Sequence, residues 1–459
     1  MSADGVGTTT TPVDEGEGIG GYVSGITYPR RYYQELNPAA ISYAALQSGY
    51  RAPRLDRPFR YLDLGCGHGY SPLLFASLFP QGHFMGVDFN PMHIGSAGSL
   101  RRAAGLTNAE FIAATFQDLV AIEDGPSLDC DFIVLHGVMS WVSETVRRDI
   151  AALVRRRLKP GGIVYASYNC HPGWAAKLPL RTLMVDAYAV TTGTVEERVK
   201  KVLAFLRQLL DSKALYMELN PVVRQQIETL ETLDPGYVAH EYLNQYWRAF
   251  HHKEIVAFME RLGIGYLGSA TAADNVPLLA VPDQPAALMA VMPNALLREN
   301  VRDVALNRQF RRDLYGRDLK PLAVPDLVAA HQATRYALGR PRTDCPLLVK
   351  RSFGDVTLHE GVFAPLLDRL AAGPATFREL AAVPPLDGWE VADQIQALQV
   401  LVGADYARPI VAGAEVPADS DAVRRFNQAA LVTARGVGQP ETALAVPALS
   451  GAMMTAVGA

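Results

Sequence analysis

Residues 59–88 read FRYLDLGCGHGYSPLLFASLFPQGHFMGVD. The first six, an apolar run holding one acid, Asp63, suit a buried strand. Gly65-Cys66-Gly67-His68-Gly69 follows, with three glycines where a Cβ would keep a ligand off the backbone. From Ser71, the apolar residues Leu73, Leu74, Ala76, Leu78 and Phe79 continue at helical spacing, with Ser71 placed as N-cap and Pro72 at the first helical position. A second strand over 82–87 ends on Asp88. Strand, glycine turn, helix, strand and terminal acid predict the first βαβ unit of a doubly wound α/β sheet. Its ligand should lie over the carboxyl ends of the strands.

The chain of 459 residues exceeds one typical core, so two or three domains are expected. Apolar residues make up 49% and charged residues 20%, as in a globular protein. A net charge of −4 gives no electrostatic reason to expect nucleic acid. Cys66, Cys130, Cys170 and Cys345 are scattered, with no C-x-x-C and no His-rich companion. That speaks against a metal site and a disulfide framework, and for a reducing compartment. No run of 18 apolar residues occurs and the first twenty residues lack a signal pattern, so a cytoplasmic protein without a membrane partner is expected.

Residues 1–20, rich in Gly, Thr and acid, predict a disordered tail. Tyr22, Tyr28, Tyr32, Tyr33, Tyr43 and Tyr50 crowd a segment that reads as two short helices. These aromatics either cover one edge of the sheet or, through Tyr28 or Tyr32, close over a bound ligand. After Asp88, Phe89-Asn90-Pro91 opens a helix, and a short strand over 110–113 leads into Thr115-Phe116-Gln117-Asp118. Residues 131–135 (DFIVL) are a central strand, apolar on both faces, that runs into His136-Gly137-Val138-Met139-Ser140-Trp141. A helix from 144 to 158 and the turn Lys159-Pro160-Gly161-Gly162 precede a fifth strand over 163–168.

The loop DLGCGHG resembles the first motif of class I S-adenosylmethionine (SAM) methyltransferases. A dinucleotide site usually carries G-x-G-x-x-G, and here the third glycine comes one residue early. In that family the glycine backbone lies against the methionyl part of SAM, and the acid closing the second strand binds both ribose hydroxyls. That acid is Asp88, 23 positions after Gly65. The resemblance implies a SAM-binding set of Tyr28, Asp63, Gly65, Cys66, Gly67, His68, Gly69, Asp88, Phe89, Thr115, Phe116, Gln117, His136, Gly137 and Val138, with S-adenosylhomocysteine as product. Phe116 is either a face for the adenine or plain core, and Gln117 or Asp118 is a partner for the adenine amino group. His136 either faces both substrates or has a structural role.

Further on, Tyr168-Asn169-Cys170-His171-Pro172-Gly173-Trp174 and Pro179-Leu180-Arg181-Thr182-Leu183-Met184 resemble one branch of that family. Tyr237-Val238-Ala239-His240-Glu241-Tyr242-Leu243 with Trp247, and GIGYLGSA at 263–270, are similar to the same branch. It comprises bacterial methyltransferases with a methyltransferase regulatory domain, among them the protein-lysine methyltransferases acting on rickettsial outer membrane protein B. The likeness runs in order from about Tyr28 to Ile410. It implies a Rossmann-like class I methyltransferase sheet with a helical insertion and a winged-helix-like C-terminal domain. The expected divisions are a tail to 20, a SAM-binding core with a helical lid over 21–184, the insertion over 185–270 and remaining core strands over 271–315. A winged-helix-like region over 316–429 and a loose end over 430–459 complete the chain.

Within the insertion, Thr194-x-x-Glu197 is a capping box, and Val199, Val202, Leu203, Phe205, Leu206, Leu209 and Leu210 form an apolar stripe. In the C-terminal region a short strand at 356–358 and helices over 359–372, 376–382 and 389–402 fit a winged helix. Eight acids against three arginines between 355 and 410 oppose a phosphate-reading surface. The implied activity is N-methylation of lysine on a protein or peptide. The alternatives are methylation of a small metabolite and a catalytically silent SAM-binding regulator. Trp141, Tyr168, Asn169, His240 and Glu241 are the candidates for the acceptor side, with Tyr168, His240 or Glu241 taking the amine proton. For His240 and Glu241 the alternative is a hydrogen-bonded pair that holds the insertion in place.

Overall fold

Side chains alternate across a strand, so a strand apolar at every position must be covered on both faces. Of strands β1 (Phe59–Leu64), β2 (Gly82–Asp88), β3 (Ala109–Ala113), β4 (Cys130–Leu135) and β5 (Leu158–Asn169), β4 is of that kind, apolar from Phe132 on. The other four flank it in the sheet, and later strands β6 (Ile264–Ser269) and β7 (Phe310–Arg317) extend it. The computed structural model describes residues 18–19, 22–23, 30–121 and 129–457. Tyr28 and most of the tail to residue 20 lie outside the described residues. Contacts divide the chain into two compact units, Met1–Pro29 with Ala175–Arg248, and Arg30–Trp174 with Ala249–Ala459.

The larger unit is built on the seven-stranded sheet, in the order β3-β2-β1-β4-β5-β7-β6. The first five strands are parallel, and β7 runs antiparallel between β5 and β6. Helices α1 (Pro38–Gln47), α2 (Tyr70–Leu78), α3 (Pro91–Ala103), α4 (Phe116–Ala121) and α5 (Glu144–Arg157) precede or connect the parallel strands. In β4, Phe132 and Val134 enter one core with Tyr61, Phe75 and Phe84, while Ile133 and Leu135 enter another with Leu62, Met85 and Ile150. Strand order reverses between β1 and β4. That switch point puts the ligand crevice at the carboxyl ends of β1, β2 and β4.

The smaller unit is helical, with α6 (Leu178–Ala189), α7 (Val195–Asp211), α8 (Leu215–Leu219), α9 (Pro221–Glu231) and α10 (Pro235–Tyr242). The capping box forms as expected: Thr194 N donates to Glu197 at 2.9 Å and Glu197 N to the Thr194 hydroxyl at 3.3 Å. Val199, Val202, Leu203, Leu206 and Leu210 are buried against Val223, Ile227 and Leu230. Phe205, placed in the same stripe by sequence, is 39% exposed.

Four boundaries differ from those the sequence predicts. The helical unit ends at Arg248, and residues 249–270, grouped with the insertion by sequence, supply α11 (His252–Glu260) and β6 to the sheet unit. Residues 271–310, expected to return to the sheet, are mainly helical, because the antiparallel edge is made by β6 and β7 on either side of them. The C-terminal region is not walled off, since Leu366, Leu398 and Leu401 belong to the same core as Tyr61 and Phe84. Its helices Glu360–Ala371, Phe377–Ala381 and Val391–Gly403 accompany a three-stranded antiparallel sheet whose middle strand, Arg335–Leu338, comes from before them. The end expected to be loose instead forms a hairpin of Glu441–Val446 with Gly451–Ala456. Ala443 and Ala445 are buried there, Tyr70 Oη meets the Thr442 hydroxyl at 2.8 Å, and Asn37 donates to Ser450 O at 2.8 Å. Alanines and glycines have little strand propensity, but they let backbones approach closely. Among the described residues no helix is long and apolar enough to cross a membrane.

Candidate active site

The glycine loop is shaped by what sits around it. Gly65 N and Cys66 N both donate to Val87 O, at 2.8 and 3.0 Å, folding the loop back over β2. Gly65, Gly67 and Gly69 have φ of +86°, +53° and +64°, conformations that cost other residues about 1–2 kcal/mol. A Cβ on Gly65 would lie 2.6 Å from Val138 Cγ2, and one on Gly69 would lie 2.4 Å from the Phe111 ring. A Cβ on Gly67 or Gly137 would meet nothing within 4 Å. These two glycines therefore leave a cradle where a ligand can approach the backbone. The helix starts two residues earlier than expected, at Tyr70 after Gly69, and Ser71 instead accepts the Tyr33 N–H at 3.1 Å.

Two buried acids face this loop. Asp88 takes Gly67 N on Oδ2 and Asn90 N on Oδ1, each at 2.9 Å, with His93 Nδ1 at 3.3 Å. A carboxylate has about four lone-pair directions, so acceptor capacity remains for a hydroxyl. Burial, and then the charge of Asp88, push the Asp63 carboxyl up to about 8. Asp63 is 3% exposed, and among the described residues no lysine, arginine or histidine forms an ion pair with it. A ligand that brings positive charge and approaches glycine backbone fits this place, as the sulfonium and ammonium of SAM require. Burial likewise raises the Cys66 thiol, so it is no nucleophile. The His68 ring lies 4.5 Å from that of His93, and Phe89 is half-buried beside Asp88 in sequence.

At the end of β3, Asp118 Oδ2 accepts from Thr115 N and Oγ1 at 3.0 and 2.7 Å, and Asp118 N donates back to Thr115 Oγ1 at 3.1 Å. The pair caps α4 and holds the Asp118 carboxyl below its usual range. Phe116 packs partly on the core beneath, while Gln117 is exposed. At the end of β4, His136 Nδ1 lies 3.0 Å from Tyr165 Oη, and the ring is 4.2 Å from that of Tyr33. Burial pushes the imidazole down to about 4, so it is uncharged at neutral pH. Gly137 N donates to the Ser167 hydroxyl at 2.9 Å, and Asn169 N to that of Ser140 at 2.8 Å. Trp141 is half-buried on the same turn, its backbone N–H bonded to Val138 O at 2.9 Å. Sequence reasoning named Tyr28 or Tyr32 for closing over a ligand and did not single out Tyr33, which meets His136; Tyr32 packs edge-on against Phe75 at 6.0 Å. Both sit in the same tyrosine cluster, and only the fold separates them.

Tyr168 is a correction. It is fully buried, and its hydroxyl donates to Asp313 and lies 3.0 Å from His252 Nδ1. Burial and the Asp313 charge hold the phenol far above its ordinary range, so it takes no proton from an acceptor. Around it, Arg311 binds Asp313 at 2.9 Å, Asp303 at 2.6 Å and Glu299 at 2.8 Å, while Arg308 grips Asp274 with two bonds of 3.0 Å. Burial alone would raise Asp313. The charge of Arg311 and bonds from His252 and Arg311 outweigh it and hold the carboxyl well below the usual range. Asp303 goes the other way, with burial prevailing over Arg311 and Arg308. The structure thus brings Asp63, residues 65–69, Asp88 and residues 136–138 to one end of the sheet. His240, buried, and Glu241, half-buried, belong to α10 of the helical unit, where Arg181 lies 4.6 Å over the Trp247 ring and Gln226 donates to Tyr242 at 3.1 Å.

Comparison with known proteins agrees with this geometry. A methyltransferase domain family matches residues 55–219, and a predicted methyltransferase regulatory domain family matches residues 234–317. The uncharacterized protein sll1526 of Synechocystis sp. is 35% identical over 391 residues, spanning 85% of this chain and 77% of that protein. The structure of PKMT2 from Rickettsia typhi, also solved in complex with AdoHcy, superposes with a TM-score of 0.69 at 21% identity, covering 94% of this chain and 86% of that one. A trans-aconitate 2-methyltransferase of Azoarcus sp. is 33% identical over 111 residues, 24% of this chain and 39% of that enzyme. The strand order, the glycine cradle with its two acids and these matches identify one family: the chain belongs to the class I SAM-dependent methyltransferases that carry a methyltransferase regulatory domain.

Proposed function

We propose that this methyltransferase acts on the side-chain amine of lysine in a protein or peptide. The supporting observation is that the likeness to PKMT2 spans 94% of the chain, C-terminal region included, beside the sequence resemblance to protein-lysine methyltransferases. The likeness to trans-aconitate 2-methyltransferase covers only 24% of the chain, so a small-molecule acceptor is the weaker reading.

Bound SAM supplies a methyl group already activated on a sulfonium. The chain's own task is to hold two partners in line and keep water out. Gly67 and Gly137 leave the space, Asp88 offers acceptors to the ribose, and Asp63 offers a carboxylate to positive charge. His136, neutral and fixed by Tyr165 and Tyr33, brings no competing cation to the end of β4. A lysine amine, with an ordinary pKa of about 10.4, must arrive deprotonated. Trp141 and Asn169 are the proposed walls of the acceptor side; Glu241 and His240 are candidates, from sequence alone, for taking the amine proton.

Deuterium-labelled SAM and purified enzyme added to a lysate, followed by mass spectrometry, test the reading. Label on lysines of a few proteins, lost in Asp88→Ala, is the expected result. Label confined to small molecules contradicts it. Turnover unchanged in both Glu241→Gln and His240→Ala would remove those residues from the mechanism.

A further inference from the structure

A groove of about 550 Å³ opens on the C-terminal helices, walled by Leu278, Val362, Phe363, Trp389 and Val400. Leu278 and Trp389 remain 44% and 38% exposed, apolar surface left facing water. The polar lining is His359, Asp393 and Gln396, with no lysine or arginine. Charge around it is one-sided: Glu360 follows His359 in sequence, and Asp387 and Glu390 flank Trp389. These acids and Asp393 are exposed, and among the described residues none is joined to a cation. Elsewhere in the same region Asp368, Glu379 and Asp405 are paired with Arg342, Arg369 and Arg340. Those three acids are neutralised, whereas the acids at the groove, like Asp344 and Asp355 elsewhere in the region, carry no paired cation among the described residues.

We propose that this groove docks a basic segment of the acceptor protein. One large apolar side chain seats against Trp389 and Phe363, and flanking lysines or arginines face Glu360, Asp387, Glu390 and Asp393. The assignment rests on the protein-lysine reading, because segments rich in lysine carry the charge this rim selects. An aromatic anchor supplies the binding energy, and the acids supply steering and choice of partner. Nucleic acid is repelled by the same rim.

The test is fluorescence anisotropy with the full chain and a labelled lysine-rich peptide bearing one central phenylalanine. Matched peptides carry serine for phenylalanine, or glutamate for lysine. Trp389→Ala and the double variant Glu390→Lys/Asp393→Lys should each weaken binding by about tenfold or more, with SAM affinity and thermal unfolding unchanged. Equal binding by parent and both variants overturns the assignment, as does equal binding of the serine or glutamate peptide. A parent dimer that Trp389→Ala dissociates would give the groove to a second copy and overturn it too. The two readings fail separately. Lysine labelling in a lysate that Trp389→Ala leaves unchanged rejects the groove and keeps the lysine acceptor. Peptide docking abolished by both variants, with no lysine labelled anywhere, upholds the groove and rejects the acceptor.

Discussion

Two sets of buried acids stand on one sheet, and they differ in what answers their charge. Around β7, Asp313 and Glu299 meet Arg311, Asp274 meets Arg308, and Asp313 is held well below the ordinary carboxylate range. At the glycine loop, Asp63 has a second acid nearby and no basic side chain paired to it, and its carboxyl is raised to about 8. A buried acid without a counter-charge is costly to ionise, and such a group marks a place where a ligand or a reaction calls for its charge. The closed network is architecture. Asp63, with Asp88 beside it, belongs to the proposed site.

The largest expected effect comes from opening the closed set. Arg311→Met leaves Asp313, Asp303 and Glu299 without their shared cation and should cost about 3–5 kcal/mol in denaturant unfolding. A loss under about 1 kcal/mol would mean the network does not hold the sheet edge. Next, Asp88→Ala should weaken SAM affinity about 10–100-fold in calorimetry, since hydrogen bonds to a charged group are worth about 1.5–3 kcal/mol each. Unchanged affinity would contradict the ribose assignment. Smaller still, Tyr168→Phe removes one donor from Asp313 and should cost about 1 kcal/mol of stability, with turnover little altered. A loss of activity without a loss of stability would return Tyr168 to the chemistry.

The open site was legible because its needs are local. Positive φ at residues 65, 67 and 69 demands glycine, and an acid closing an apolar strand stands out in one chain segment. The capping box at Thr194 is local too. The closed network was not legible: Tyr168 faces Arg311 across β5 and β7, a pairing of strands far apart in sequence. Until that register exists, Tyr168 at the end of a strand reads as a group facing the acceptor. Tyr33 was hidden among similar tyrosines, and the C-terminal hairpin among alanines whose packing depends on α2. Phe205 shows the opposite error, an apolar residue at helical spacing that its unit leaves exposed.

The pH dependence should separate the two sets. Between its ordinary 3.8 and about 8, folded Asp63 keeps a proton that the unfolded chain has lost, so its contribution to stability falls as pH rises through that window. Asp313, held low, contributes stability above the ordinary carboxylate range and loses it as pH falls below. Asp63→Asn should flatten the first slope and leave the second. SAM affinity should rise with pH up to about 8 in the parent and not in the variant.

The most direct measurement is the proton balance of SAM binding near pH 7, by calorimetry in buffers of different ionisation enthalpy. If Asp63 is the carboxyl that waits for the cofactor's charge, the parent releases about one proton per SAM bound and Asp63→Asn releases none. No release in the parent, or the same release in both, would contradict the account.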